Sequence, residues 1–406
     1  MTDPVSTPPG PHAGHRPFVT GMSSRRAGQW VDSHIDGQYP SDPAPWGAGP
    51  LPGNPWDGLD LALHGHVADR LHRALVAPVR HLIDHGGRRW RPALVAHTIE
   101  LLGGAPERFG PLVAALELAH TGSLVVDDVE DGSAVRRGRP TAHAAFGTAV
   151  ALNAGTAAYF AFDRAIDLTL PDDSDLAGEL RALFLAALRA AHMGQALDLQ
   201  GHHPELEHAL TSGESAPVLH SVRLTHRLKS GTLVAAGFTM AALVTCAPPA
   251  LVGALTDFGM ALGTAYQITD DTADLEGVTH DGRPTKTVAE DLRGAKVTLP
   301  LAHATARVPA DRLMALWGRV RDGARADDGR AAGNGGDGRA ATDGRAVEEL
   351  RRALLSCGAA AVCEEEARLL VDGAWHRLRP LLPHRHPATA RLGELARRTV
   401  LRSRTA

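Results

Sequence analysis

Lysine is nearly missing from this chain of 406 residues: of 42 Lys and Arg, three are lysine, namely Lys229, Lys286 and Lys296. Where arginine is used almost everywhere, the few lysines mark places that need a compact ammonium. Cysteine is equally sparse, and Cys246, Cys357 and Cys363 are too few and too odd in number for a disulfide framework. A reducing, cytoplasmic compartment is expected. Aromatic residues make up 4%, and runs of Val, Ile, Thr and Tyr are scarce, which argues against a large sheet. A net charge of -4 with no basic domain excludes a nucleic-acid binder that works by bulk charge. The longest apolar run, Thr232 to Ala247, stops at Pro248-Pro249, short of the roughly 18 residues that read as a membrane span. No transmembrane segment is expected, and the start Met-Thr-Asp-Pro has neither the basic nor the apolar region of a secretory signal.

What is present has an ordinary globular composition, 44% hydrophobic and 22% charged. Residues 1–56 hold eleven of the 27 prolines and no sustained apolar period, and read as a disordered Pro/Gly-rich tail. From about Leu59 the apolar spacing is helical, with Leu59, Leu63, Val67, Leu71 and Leu75 opening a series of Ala- and Leu-rich stretches punctuated by Gly or Pro. Residues 322–345, rich in Gly, Ala, Asp and Arg, read as a flexible loop within the domain 57–406. The expected fold is all-α, a helical bundle whose core is large enough to hold a central cavity.

Two clusters carry the chemistry. An apolar run ending Val125-Val126-Asp127-Asp128-Val129-Glu130-Asp131 places three aspartates at i, i+1 and i+4, so Asp127 and Asp131 share a helical face. Gln267-Ile268-Thr269-Asp270-Asp271-Thr272-Ala273-Asp274 repeats that spacing. Unit charges about 4 Å apart repel by roughly 4 kcal/mol at an effective dielectric of about 20, so each cluster calls for a cation. Hard oxygen donors without His or Cys select Mg²⁺, which characteristically bridges carboxylates to phosphates. A solvated acidic helix end explains one such cluster as well; two of equal spacing after apolar helices favour the metal.

Cations lie beside them. Gly86-Gly87-Arg88-Arg89-Trp90-Arg91-Pro92 combines a glycine pair with guanidinium groups, and Arg136-Arg137-Gly138-Arg139 follows the first cluster. Lys229 sits in Leu228-Lys229-Ser230-Gly231, and Lys286 and Lys296 flank the segment after the second cluster. Metal-binding carboxylates and many cations together describe a diphosphate site. Of 22 histidines, His120 alone stands where it would face the same cavity as Asp127.

With these residues in view, the chain resembles the trans-isoprenyl diphosphate synthases, or polyprenyl synthetases, over about residues 60–310 and more weakly beyond. The resemblance rests on GGRRWRP (86–92), ELAHTGSLVVDDVEDGSAVRRGRPTAH (117–143), GQALDL (194–199), LKSG (228–231), YQITDDTAD (266–274) and TKTVAEDLRGAKVTLP (285–300). It implies an isoprenoid synthase-type bundle whose aspartate motifs face each other. It implies that Asp127, Asp128, Asp131, Asp270, Asp271 and Asp274 hold Mg²⁺ on an allylic diphosphate. Arg136, Lys229, Ser230, Gln267, Lys286 and Lys296 would then contact that diphosphate or its metal shell, with Arg136, Lys229, Gln267 and Lys286 catalytic. Arg88, Arg91, His120 and Arg137 would hold isopentenyl diphosphate. Arg88 and Ser230 stand where lysine and threonine are usual, Val126 where histidine often precedes the Asp pair, and Gly294-Ala295 where an acidic-Gly pair is frequent.

The implied reaction lengthens an allylic diphosphate by one isopentenyl unit. Gly122 and Ser123 are small where a short-chain enzyme carries a bulky floor, which points to geranylgeranyl diphosphate (C20) or longer, with Phe160 and Phe162 as candidates for a deeper floor. A class I terpene cyclase and a non-catalytic partner subunit or scaffold are the rival readings; the second full aspartate cluster and GGRRWRP speak against the former, the intact aspartates and lysines against the latter. A homodimer is implied by the resemblance. Trp46 and Trp56 in their Pro/Gly context resemble a docking segment, as in family members carried inside encapsulin-type shells; the plain alternative is an inert linker.

Overall fold

The computed structural model describes residues 24–42, 65–277, 279–280, 283–284, 288–333, 344–383 and 386–400. Lys286, Trp46 and Trp56 lie outside them, so the roles expected for these three residues are not addressed by the fold. The described residues are nearly all helical, in agreement with the all-α expectation.

After α1 (Ser24–Gln38), a π turn joins α2 (Gly65–Leu71) to α3 (Ala77–Ile83). α4 (Trp90–Leu101), α5 (Gly110–Glu130), α6 (Ala142–Phe146), α7 (Thr148–Ala158), α8 (Ala161–Thr169) and α9 (Ser174–Gln200) form one side of the bundle. The other side is built from α10 (His203–Ser212), α11 (Ala216–His226), α12 (Thr232–Val244), α13 (Pro249–Glu276), α14 (Glu290–Arg293) and α15 (Leu299–Ala304). α16 (Ala310–Gly333), α17 (Gly344–Ser356), α18 (Ala359–Leu378) and α19 (Pro387–Val400) complete that side. A two-residue antiparallel ribbon follows each aspartate-bearing helix: β1 (Val135–Arg136) with β2 (Arg139–Pro140) after α5, and β3 (Thr279–His280) with β4 (Arg283–Pro284) after α13.

The punctuation is local chemistry. Pro111 opens α5 and Pro249 opens α13, where a missing N–H costs nothing. Asp173 caps α9 by accepting from the Leu176 N–H at 3.1 Å. Gly132 (φ +60°), Gly201 (φ +73°) and Gly277 (φ +83°) turn the chain at the ends of α5, α9 and α13, in a region of φ that favours glycine. α12 is the buried core helix that Thr232–Ala247 suggests: Val234 to Ala242 are all buried, between α4, α9 and α13. Among the described residues one stretch, Pro106–Glu130, is long and apolar enough to cross a bilayer, but 72% of its apolar window is buried inside the bundle.

Two expectations about order give way. Within residues 1–56, Ser24–Gln38 is a helix: Ala27, Val31 and Ile35 recur every fourth residue and are buried against α4 and α5. The stripe is only three residues wide and is diluted by Gly28, Gly37 and the surrounding prolines, so composition hides it. Within 322–345, α16 runs on to Gly333 and α17 begins at Gly344, because Ala and Arg sustain a helix without large apolar side chains.

Candidate active site

α5 and α13 bring their C-terminal turns to one cavity of about 1830 Å³, and both turns carry aspartates. A helix C-terminus already bears partial negative charge, so carboxylates there are doubly in need of cations. Every candidate residue among the described ones lines this cavity except Asp128: Arg88, Arg91, His120, Asp127, Asp131, Arg136, Arg137, Lys229, Ser230, Gln267, Asp270, Asp271, Asp274 and Lys296. Asp128 lies behind the wall, 1% exposed, where its carboxylate accepts from Arg136 Nε at 2.6 Å.

Lys229 rests on a π turn, Arg227–Gly231, wedged between α9 and α13. A Cβ on Gly194 would collide with the Lys229 backbone nitrogen, and one on Gly263 would lie 2.6 Å from the Ser230 carbonyl oxygen. Glycine on both flanking helices therefore lets the turn approach closely, and π turns of this kind recur at functional sites. Lys229 Nζ donates to Asp127 Oδ1 at 3.0 Å and to Asp198 Oδ2 at 2.7 Å, and Lys296 Nζ meets Asp198 Oδ2 at 2.8 Å. Ser230 Oγ donates to Gln267 Oε1 at 2.6 Å.

Asp198 is thus the hub of the cationic side, although a search for paired aspartates passes over it. The usable signal is its place in GQALDL, one turn after Gln195, with Gln195 Nε2 donating to Asp127 at 3.1 Å and to Glu130 at 2.6 Å.

The charges are strongly coupled. Burial works to raise the Asp127 pKa, but Lys229, Lys296 and Arg136 outweigh it and hold the carboxyl well below its usual range. Asp198 is lowered in the same way, against its burial, by Lys296 and Lys229. Burial opposes the charge on Lys229, yet Asp127 and Asp198 raise its pKa; for Lys296 the raising charges are Asp198, Asp291, Asp131 and Asp127. Asp131 is pushed up, by burial first and then by Asp127. His120 is driven well below its ordinary value by burial and by Arg91, Arg137 and Arg136, so it is a neutral imidazole at neutral pH.

The second cluster is more committed to the protein. Asp271 Oδ2 accepts the Leu299 N–H at 3.0 Å and lies 3.2 Å from His226 Nε2. The two oxygens of Asp274 accept the N–H groups of Glu290 and Asp291 at 3.1 and 3.3 Å. Asp270 faces the cavity, and its charge raises the pKa of Arg136 after Asp128 and Asp127 do so, against burial, which ties the two clusters through one guanidinium.

Among the described residues no three His, Cys, Asp or Glu side chains stand together as a ready metal site. The donor set nonetheless suits a hard divalent cation: the aspartates offer oxygen ligands only, and burial together with the charge of Asp127 makes Asp131 protonate more readily than usual. In this arrangement Lys229, Lys296 and Arg136 supply the positive charge that a metal would add.

The remaining arginines form a second basic lobe. Arg91 stacks over Trp90 and Tyr266, 4.5 and 5.2 Å from the ring centroids, and Arg88 is exposed at the rim. Arg137, at φ +54°, donates to the Leu82 carbonyl at 2.9 Å and to that of Gly86. Arg89, between Arg88 and Arg91, instead turns inward to Glu117 and Asp32, 7% exposed.

The apolar wall corrects the expected floor. Gly122 does not line the cavity; a Cβ there would lie 2.5 Å from the Gly155 carbonyl oxygen, so its smallness serves the packing of α5 on α7. Phe160 is 67% exposed, and Phe162 is buried away from the cavity, stacked on Phe184 at 4.0 Å. The wall itself is formed by Ser123, Phe184, Leu188, Leu233, Val95 and Leu116.

Comparison with known proteins gives the same picture. A family model described as polyprenyl synthetase matches residues 72–328. A short chain isoprenyl diphosphate synthase of Methanothermobacter thermautotrophicus is 30% identical over 263 residues, 64% of this chain and 76% of that protein. A geranylfarnesyl diphosphate synthase of Aeropyrum pernix is 33% identical over 243 residues, 59% and 72% of the two chains. A crystal structure of polyprenyl synthase from Caulobacter crescentus, complexed with calcium and isoprenyl diphosphate, superposes with a TM-score of 0.69 at 26% identity, covering 93% of this chain and 95% of that one.

Proposed function

The chain belongs to the polyprenyl synthetase family and is a prenyltransferase, and from that premise we propose that it condenses isopentenyl diphosphate with an allylic diphosphate, in the presence of Mg²⁺, to give a longer trans-polyprenyl diphosphate. One observation carries the proposal: Lys229 and Lys296 converge on Asp127 and Asp198 at an apolar-walled cavity that Asp270 also lines. Such a site holds a diphosphate at its charged end and a hydrocarbon in its depth.

All of the proposed metal ligands but Asp128 line the cavity, and Asp128, Asp271 and Asp274 would exchange their present partners to hold a metal. Bound there, Mg²⁺ would supply positive charge toward the departing diphosphate. Lys229, Lys296 and Arg136, already charged and half-buried at the cavity, stabilise the same developing negative charge. Arg88, Arg91 and Arg137 hold the isopentenyl diphosphate, with neutral His120 as a hydrogen-bond partner. The allylic C–O bond breaks, the isopentenyl double bond attacks the allylic cation, and the proton released from the isopentenyl unit passes to the departing diphosphate. Phe184, Leu188, Leu116 and Leu233 exclude water that would quench the cation.

For product length we propose C20, on the small Ser123 in the wall. We also propose a homodimer: Ala182, Leu185, Ala186, Met193 and Ala196 form an exposed stripe on the face of α9 opposite Gln195 and Asp198. Met193→Glu is expected to halve the mass measured by light scattering, and an unchanged mass contradicts that interface. We place the protein in the cytoplasm on its sparse, free cysteines.

Incubation with Mg²⁺, isopentenyl diphosphate and C5, C10 or C15 allylic primers, followed by sizing of the hydrolysed alcohols, tests the proposal. Chain-extended alcohols are expected; cyclised hydrocarbons, or no consumption of isopentenyl diphosphate, would refute it.

A further inference from the structure

Resting on that reading, we propose that α1 is a positioning element of the isopentenyl diphosphate lobe, acting from Asp32 through Arg89 on the Gly86-Gly87-Arg88 loop. Arg89 begins α4 in a left-handed conformation, φ +46°, and its guanidinium sits inside the curve of the preceding loop. Nη2 donates to the Ile83 carbonyl at 2.8 Å and Nη1 to that of Gly86 at 3.1 Å, so the side chain pins the loop at two points. Gly87, at φ +122°, has a backbone conformation that favours glycine, and a Cβ there would lie 2.5 Å from Arg89 Nη1 and 3.2 Å from Arg137. Arg137 donates to the same Gly86 carbonyl, so two guanidinium groups crowd one loop.

Two carboxylates balance them. Glu117, on α5, lies 3.2 Å from Arg89 Nη1, and Asp32, on α1, accepts from Arg89 Nε at 2.9 Å. Asp32 is held in register by contacts elsewhere on the helix: His34 packs its ring into the space left by the missing side chain of Gly110, and Gln38 Nε2 donates to the Pro111 carbonyl at 2.9 Å. Asp32 therefore sets the direction of Arg89, Arg89 sets the loop, and the loop carries Arg88 to the cavity rim beside Arg91. Asp32 is 49% exposed, so solvent screens the pair and the effect on affinity is moderate.

The test uses the full chain and three substitutions: Asp32→Asn, Asp32→Glu and Asp36→Asn. Asp32→Asn is expected to raise KM for isopentenyl diphosphate by about three- to tenfold, as loss of one charged hydrogen bond would, while KM for the allylic primer stays within about twofold. Asp32→Glu should recover part of the loss, and Asp36→Asn, on the same helix but directed to Arg80, should leave both KM values unchanged. An equal rise in both KM values, an unchanged KM for isopentenyl diphosphate in Asp32→Asn, or an equal effect from Asp36→Asn would overturn the inference. Calorimetric titration with isopentenyl diphosphate reads the same ratio without turnover, so a wild type that binds it but does not elongate condemns the catalytic reading alone.

Discussion

Removing the charge of Asp198 offers a demanding test of the cavity's electrostatics. Asp198 Oδ2 is 2.7 Å from Lys229 Nζ and 2.8 Å from Lys296 Nζ. At an effective dielectric of about 20, each pair is worth roughly 6 kcal/mol of Coulomb attraction before desolvation and the repulsion between the two ammonium groups are counted. Breaking a buried pair typically costs about 3–5 kcal/mol net. Here the loss is smaller, because Asn keeps a hydrogen-bond acceptor, Lys229 retains Asp127 at 3.0 Å, and the three side chains are 13%, 22% and 26% exposed. Asp198→Asn is expected to lose about 2–3 kcal/mol, which lowers Tm by roughly 2–4 °C in a chain of this size. The two lysines then lack an anion that pyrophosphate can replace. Differential scanning calorimetry with Mg²⁺ and saturating pyrophosphate should therefore show a larger upward Tm shift in Asp198→Asn than in the wild type. A Tm within about 1 °C of the wild type, or a smaller pyrophosphate shift, would refute the reasoning.

Asp127→Ala should lower kcat by about two to four orders of magnitude with circular dichroism unchanged; a rate within threefold of the wild type contradicts the assigned role. Asp131 has a folded pKa raised above its ordinary 3.8, so its ionisation opposes folding, and the penalty appears as pH rises through the folded value. Asp131→Asn is therefore expected to be more stable than the wild type at pH 7 and to lose that advantage below about pH 4, while elongating poorly; lower stability at pH 7 contradicts the assignment. Lys229 and Lys296 have raised pKa values, so their stabilising contribution is present below their ordinary 10.5 and is lost as pH rises through the folded values. Ser123→Phe should shorten the product by at least one isopentenyl unit, read from the alcohol profile; an unchanged profile removes Ser123 from the wall that limits length.

The helical class and the two aspartate clusters are legible because periodicity registers a charge that recurs on an apolar helical face. Asp127 and Asp270 come together in one cavity as that pattern suggests. Asp198 escapes, since a single acid on a long helix resembles many surface acids and acquires meaning only when Lys229 and Lys296 arrive from other elements. Gly122 misleads for a different reason: smallness serves a cavity or a helix crossing equally well, and only the position of Gly155 decides. α1 is hidden by its proline-rich flanks. Arg88 and Arg89 are neighbours that sequence cannot tell apart: Arg88 is exposed at the cavity rim, while the Arg89 guanidinium is buried and spent on Asp32 and Glu117.

The central claim is that the aspartates of α5 and α13 share one diphosphate through divalent metal. Crystals grown with Mn²⁺ and a non-hydrolysable allylic diphosphate, measured at the manganese edge, address it most directly. Anomalous peaks within ligand distance of both Asp127 and Asp270, with Lys229 and Lys296 turned from Asp198 to the diphosphate, are expected. Metal on one helix only, or a diphosphate seated away from both, would contradict the account.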